Sequence, residues 1–320
     1  MALVLVLATA ALIACGAAVG STGWEPLWSR SGEPEAAILW DIRVPRSLGA
    51  WFAGALLGLA GAVAQGLFRN PLADPYLLGS ATGAALGVAL MLLLVGVSPM
   101  AASGWAARFG LTGAGFVGAV FAVLVTLALA KGVQHTLRLL LAGVIVGMVF
   151  GAFSALVMFW VPDIMRTMQA FLLGTTGFLG WSSVAVMGSL FAACALAAIV
   201  FSRALDALSL GETTAASLGI ALAPVRVVLI AVMALATAAA VAQVGLIAFI
   251  GLVAPHLVRS RVKPTHRWLL PLSALTGGVL LLASDVLARW LLAPRELPVG
   301  VLTAVLGGCY LLWLMHRRPL

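Results

Sequence analysis

The chain is a succession of apolar runs, each close to the length a helix needs to cross a bilayer, separated by breaks too short to fold alone. The clearest pair flanks Arg69-Asn70-Pro71-Leu72-Ala73-Asp74-Pro75, with apolar sequence over 48–68 before it and 76–97 after it. A transmembrane helix takes ~20 residues. Pro71 and Pro75 lack the amide hydrogen that would continue a helix, so the two spans turn back on each other at one membrane face. Further runs at 2–19, 111–130, 139–160, 181–201, 225–241, 244–258, 268–290 and 299–316 bring the predicted number of spans to ten. The run over 244–258 is short and holds Pro255, which predicts a tilted or broken helix.

Composition excludes a soluble protein: 63% of residues are hydrophobic, 9% are charged, and the mean hydropathy is +1.16. No polar stretch is long enough for a separate soluble domain, so residues 1–320 are expected to form one helical membrane domain. The net charge of +8 would invite a nucleic-acid reading in a soluble chain; here it is read as orientation, with no nucleic-acid partner. Ten spans put both termini on one side. That side carries Arg69, Lys131, Arg138, Arg203, Arg226, Arg259, Arg261, Lys263, Arg267, Arg317 and Arg318 against Asp74, Asp206 and Glu212, while charges on the other side balance. The positive-inside rule then makes the termini cytoplasmic.

Local features refine this frame. Leu12-Ile13-Ala14-Cys15 resembles a lipoprotein cleavage site but lacks a positive n-region, so 2–19 is read as the first span. Trp24, Trp28 and Trp40 in the loop over 20–47 mark a headgroup interface. Gly54, Gly58 and Gly61, then Gly79, Gly83 and Gly87, then Gly143, Gly147 and Gly151 form small-residue faces on which helix backbones approach closely. The segment 161–180, with Pro162, Asp163, Arg166 and Gly174-Thr175-Thr176-Gly177, predicts a short interfacial helix and a bend. The gap 202–224 places Leu205, Leu208, Leu218 and Glu212 as in two short amphipathic helices at the surface. Gly61-Ala-Val-Ala-Gln65-Gly-Leu is echoed by Ala240-Val-Ala-Gln243-Val-Gly-Leu on a span of opposite direction, the pattern of an inverted transporter repeat.

The chemistry is marked by what the chain lacks. No Gly-x-x-x-x-Gly-Lys-Ser/Thr occurs, so no phosphate-cradling loop is present and energy must come from a partner or an ion gradient. A gradient-driven carrier needs an ionisable group inside the membrane. Asp285 is the candidate, but Arg289 lies one turn away, and an ion pair near the outer end of the span accounts for both. His135, His256, His266 and His316 all fall toward the terminal face, and Cys15, Cys194 and Cys309 have no metal spacing. Metal ligation by this chain is therefore not expected. No paired carboxylates or His/Cys/Asp constellation converge as an enzyme would require.

Seven stretches, in order, resemble one family. They are Arg43-Val-Pro-Arg46, Gln65-Gly-Leu-Phe-Arg-Asn70-Pro-Leu-Ala-Asp-Pro75, Arg138-Leu-Leu-Leu-Ala-Gly143, Leu208-Ser-Leu-Gly-Glu212, Gly251-Leu-Val-Ala-Pro-His-Leu-Val-Arg259, Ala283-Ser-Asp285-Val-Leu-Ala-Arg289 and Glu296-Leu-Pro-Val-Gly300. The chain is similar to the FecCD/BtuC-type permeases of bacterial ABC importers for ferric siderophores, haem and cobalamin. The resemblance implies an all-α, ten-helix membrane subunit of the type II importer fold, in the inner membrane, working as a homodimer. It also implies two ATP-binding subunits that hold ATP and Mg, a substrate-binding protein, and no cofactor on this chain. Coupling helices at about 203–220 would meet the ATPase through Asp206, Leu208, Leu210, Gly211 and Glu212. Arg43, Arg46 and Arg289 would dock the binding protein, and Asn70, Leu72, Thr136 and Leu137 would form the cytoplasmic gate. The Gly174–Gly177 region departs from the family pattern, which limits transfer of pathway residues there. A gradient-driven secondary transporter remains the alternative at this point.

Overall fold

The helices begin and end where proline, glycine and charge interrupt the apolar runs. In the computed structural model, residues 1–20, 23–24, 33–95, 105–132 and 136–317 are described. In chain order the helices are α1 (Ala2–Ala18), α2 (Glu33–Ile38), α3 (Val44–Leu67), α4 (Ser80–Val95), α5 (Trp105–Leu129), α6 (Thr136–Trp160) and α7 (Met165–Leu173). They continue with α8 (Trp181–Val200), α9 (Ser202–Ser209), α10 (Glu212–Ser217), α11 (Leu222–Val244), α12 (Ile250–Arg261), α13 (His266–Trp290) and α14 (Val299–Arg317). A π-helical turn at Leu39–Arg43 joins α2 to α3, and a two-residue antiparallel pair, Val19–Gly20 with Gly23–Trp24, follows α1. Among the described residues α3, α5, α6, α8, α11 and α13 are long and apolar enough to cross a membrane, and α1, α4 and α14 are shorter apolar helices.

The eighth expected span is the main difference. The helix starts at Ile250, not at residue 244, because Gly245 and Phe249 take positive φ values of 71° and 69° and break the run after α11. At 1.5 Å per residue α12 is about 18 Å long, well short of the ~30 Å hydrocarbon core. Irregular backbone here is tolerated because it is bonded inside the protein: Tyr76 Oη donates to Ile247 O at 3.1 Å, and Leu246 N donates to Phe171 O at 3.0 Å. The third span also starts later than expected. Residues Pro75–Leu78 form a 3-10 turn ended by Gly79 at φ 80°, so Gly79 serves as a left-handed stop and α4 begins at Ser80.

At the centre lies α3, buried at every residue from Ala53 to its end at Leu67. It packs antiparallel to α13: a Cβ at Gly54 would overlap the Gly277 carbonyl, and one at Gly58 would overlap that of Ser273. At Gly61 the neighbour is the Gly251 carbonyl of α12. That oxygen is the one from which Pro255, four residues on, withholds an amide, so the helix breaker and the missing side chain meet at one point. Gly83 and Gly87 of α4 face Gly118 and Ala114 of α5 in the same manner. Gly143 meets the Leu77 carbonyl, whereas Gly151 has nothing within 4 Å, so the expected glycine face of α6 is only partly used.

The helices fall into two packing groups. One contains α1, α3, α12 and α13; the other contains α4, α5 and α6; α11 packs against members of both.

Candidate functional site

Polar side chains gather at the two ends of the antiparallel pair α3/α13. At the end holding the start of α3, Asp285 is fully buried and accepts from Arg46 Nε at 3.2 Å and Nη2 at 3.1 Å, from Arg289 Nη2 at 2.7 Å, and from the Thr176 hydroxyl. Arg46 turns its other edge to Glu296, with Nη1 to Oε1 at 3.0 Å and Nη2 to Oε2 at 2.9 Å. The Gly174–Gly177 bend, read from sequence as an irregularity, thus supplies Thr176 to the cluster.

Arg289 is not on the surface. It is 2% exposed, and its Nη1 donates to Gly16 O at 2.8 Å and Val19 O at 3.0 Å. These carbonyls end α1, where the helix dipole favours a cation. Arg289, expected on a docking face, thus lies inside this subunit, where its guanidinium ties α1 to α13. Arg43 reaches the same end of α1, with Nη1 3.4 Å from Ala17 O and 3.5 Å from Ala18 O. Around this end Trp181 Nε1 donates to Trp40 O at 3.0 Å, and the two indole rings pack 5.2 Å apart.

At the opposite end of α3, the Arg69–Pro75 stretch is a tight turn, with Arg69 at φ 51°. Asn70 Oδ1 accepts from Leu72 N at 2.9 Å, and Asp74 Oδ1 caps Tyr76 N at 2.8 Å. Burial pushes the Asp74 carboxyl above the usual carboxylate range, opposed by that amide. Asn70 and Leu72 are exposed and Ala73 is fully buried, so the turn presents a short edge on an anchored base. Leu137 is 71% exposed near the start of α6. Thr136 opens α6, but its side chain, like all of His135, lies outside the described residues.

The gap expected to hold two short helices contains α9 and α10. Glu212, which opens α10, pairs with Arg226 of α11 at 2.6 Å and with Arg69 at 3.7 Å, so it touches both the turn and α11. Asp206 Oδ1 accepts from His266 N at 2.9 Å and lies 2.7 Å from His266 Nδ1, fixing α9 to the start of α13. Leu208, expected at the ATPase contact, is 1% exposed and belongs to the core, whereas Leu210 is 66% exposed beside Gly211 at φ 114°. Sequence reasoning missed Thr176, Gly16 and Ser47, whose Oγ accepts from Arg289 Nη2 at 3.5 Å, around the first cluster and His266 as the partner of Asp206. The Asp285/Arg289 spacing was a visible signal; pairings across hundreds of residues had none.

The model of the FecCD transport family matches residues 2–317. The chain is 39% identical over 303 residues to the hemin transport system permease protein HmuU of Yersinia pestis, covering 93% of this chain and 89% of that protein. It is 38% identical over 282 residues to the vitamin B12 import system permease protein BtuC of Citrobacter koseri, covering 88% and 83%. Its fold matches a metal-chelate type ABC transporter in an inward-facing conformation with a TM-score of 0.87 at 28% identity, over 98% of both chains. A fold match to PsaBC from Streptococcus pneumoniae is more distant, with a TM-score of 0.57 at 18% identity. A chain without a phosphate-binding loop, built of membrane helices that carry ionic clusters at both ends, is thus a permease subunit whose ATPase is a separate protein, and it belongs to the FecCD transport family.

Proposed function

We propose that this permease imports a bulky metal chelate, haem or a ferric siderophore in first place and cobalamin next, received from a soluble binding protein and released to the cytoplasm by alternating access. The likeness to a hemin permease along nearly the whole chain carries the reading. The gradient-driven alternative loses its support at Asp285, because two arginines and a hydroxyl already engage its carboxylate in a structural ion-pair cluster. The working unit is a homodimer with two ATP-binding subunits, both termini cytoplasmic, as the loop charges favour.

In this reading Arg43 and Arg46 receive acidic side chains of the binding protein. Asn70 and Leu72, with Thr136 and Leu137, narrow the inner end of the path. Leu210, Gly211 and Glu212 meet the ATPase, while Asp206 and Leu208 hold the coupling helices in place. The test is reconstitution of the permease with its ATPase and binding protein in liposomes, measuring ATP-dependent uptake of hemin, a ferric siderophore and cyanocobalamin in parallel. ATP-dependent uptake of hemin or the ferric siderophore above that of cyanocobalamin is expected. Uptake without ATP, driven by a proton or sodium gradient, would overturn the proposal.

A further inference from the structure

Arg46 has five N–H donors, and its own chain engages four donor–acceptor contacts with them, two to Asp285 and two to Glu296. The two carboxylates differ in one respect. Asp285 has no exposed surface; Arg289 holds its other oxygen, Oδ2, and the Thr176 hydroxyl donates to Oδ1, the oxygen that Arg46 contacts. Glu296 has a side chain 34% exposed and, among the described residues, Arg46 as its ion-pair partner. It stands at the end of an exposed turn over 290–296 that closes with Leu297 N on Ala288 O at 3.0 Å and leads directly into α14. At the head of α14, Gly300 lies against the carbonyls of Leu173 and Leu246, where any side chain would clash.

We infer that Glu296 is a built-in competitor for the docking carboxylate: it occupies the forked face of Arg46 in the free permease, and an acidic side chain of the binding protein displaces it. Docking at this arginine is then an exchange of one carboxylate for another, while Asp285 keeps the guanidinium in position from behind. The displaced Glu296 releases the 290–296 turn, so docking reaches the start of α14 through the chain itself. This rests on the reading of Arg46 as a docking residue. Because only the fraction of permease with Glu296 detached is competent at that site, apparent affinity is reduced by that fraction. Exchange also creates no net ion pair, so salt should weaken it less than docking onto a bare arginine.

The experiment uses the full permease–ATPase complex in lipid nanodiscs and the purified binding protein that supports uptake, with binding measured across a salt series. Glu296→Gln is expected to tighten binding about two- to five-fold, the scale of one partly exposed ion pair, and to steepen its salt dependence. In a Arg46→Lys background, which keeps a charge against Asp285 but loses the fork, the effect of Glu296→Gln should vanish. If Arg46→Lys weakens binding while Glu296→Gln leaves it unchanged or weaker, docking at Arg46 stands and the competition is refuted. If neither variant changes binding, the docking role of Arg46 itself fails, and the competition with it. Should Glu296→Gln not assemble, Glu296→Asp, one methylene shorter and so drawn back from the guanidinium, must tighten binding in the same direction.

Discussion

Asp285 and Asp74 show how differently two acidic residues are used at the two ends of one helix pair. Asp285 neutralises the buried guanidinium of Arg289 and the partly exposed one of Arg46, so replacing it strands a buried charge rather than merely removing a contact. Breaking a buried pair in this way costs about 3–5 kcal/mol. Asp285→Asn should accordingly lower the melting temperature of the purified complex sharply, whereas Glu296→Gln at the exposed side of the same cluster should not. Asp74 has only one amide for compensation, and burial raises its pKa. A carboxyl with a folded pKa above its unfolded value binds more protons when folded, so its contribution rises as pH falls through that raised value and is lost at higher pH. Asp74→Asn keeps an oxygen acceptor for Tyr76 N. Its melting temperature should therefore respond less to acidification from neutral pH than that of the wild type; an identical pH response would show that Asp74 does not contribute.

Among the elements, glycine placement separates what the sequence announces from what only packing decides. Gly54, Gly58 and Gly151 all sit in small-residue patterns, yet the first two face backbone carbonyls and the third faces open space. A methyl group cannot displace a carbonyl fixed in a neighbouring helix. Gly58→Ala should thus prevent recovery of a monodisperse complex, while Gly151→Ala should be neutral or stabilising by about 0.5–1 kcal/mol, the ordinary helix preference for alanine. Unfolding in detergent compares the two directly. Helix positions were legible because apolar length alone marks a membrane helix. The starts of α4 and α12 were not, since they depend on the positive φ of Gly79 and Phe249 and on partners such as Ile247 O distant in sequence. Arg43 and Arg46 are marked by the family motif in which they lie, but the burial of Arg289 under the end of α1 depends on contacts distant in sequence and is not legible there. Leu208 and Leu210 lie two positions apart in one short helix end and look alike in sequence; only their opposite exposures assign one to the core and the other to the surface.

For the whole molecule, a gate on the Asn70–Leu72 edge requires two copies of the turn to meet. Cysteines introduced at position 72 of both protomers should crosslink in a nucleotide-dependent way and block uptake when joined. Crosslinking that is absent, or that leaves transport unaffected, would move the gate elsewhere. The helix α13 sets the mechanical context for such a gate. His266 grips α9 at its start and Asp285 grips Arg46 near its far end, about 28 Å away at 1.5 Å per residue. Close glycine contacts clamp α3 along its side. A strut held at both ends and braced along its length resists sliding past α3. The expected place for large displacements is then the border formed by α11, with the α4–α6 block moving against the braced block. Amide protons in α3 and α13 should accordingly be the slowest in the molecule to exchange, at the same rate with and without nucleotide, while those around 245–249 report every stroke.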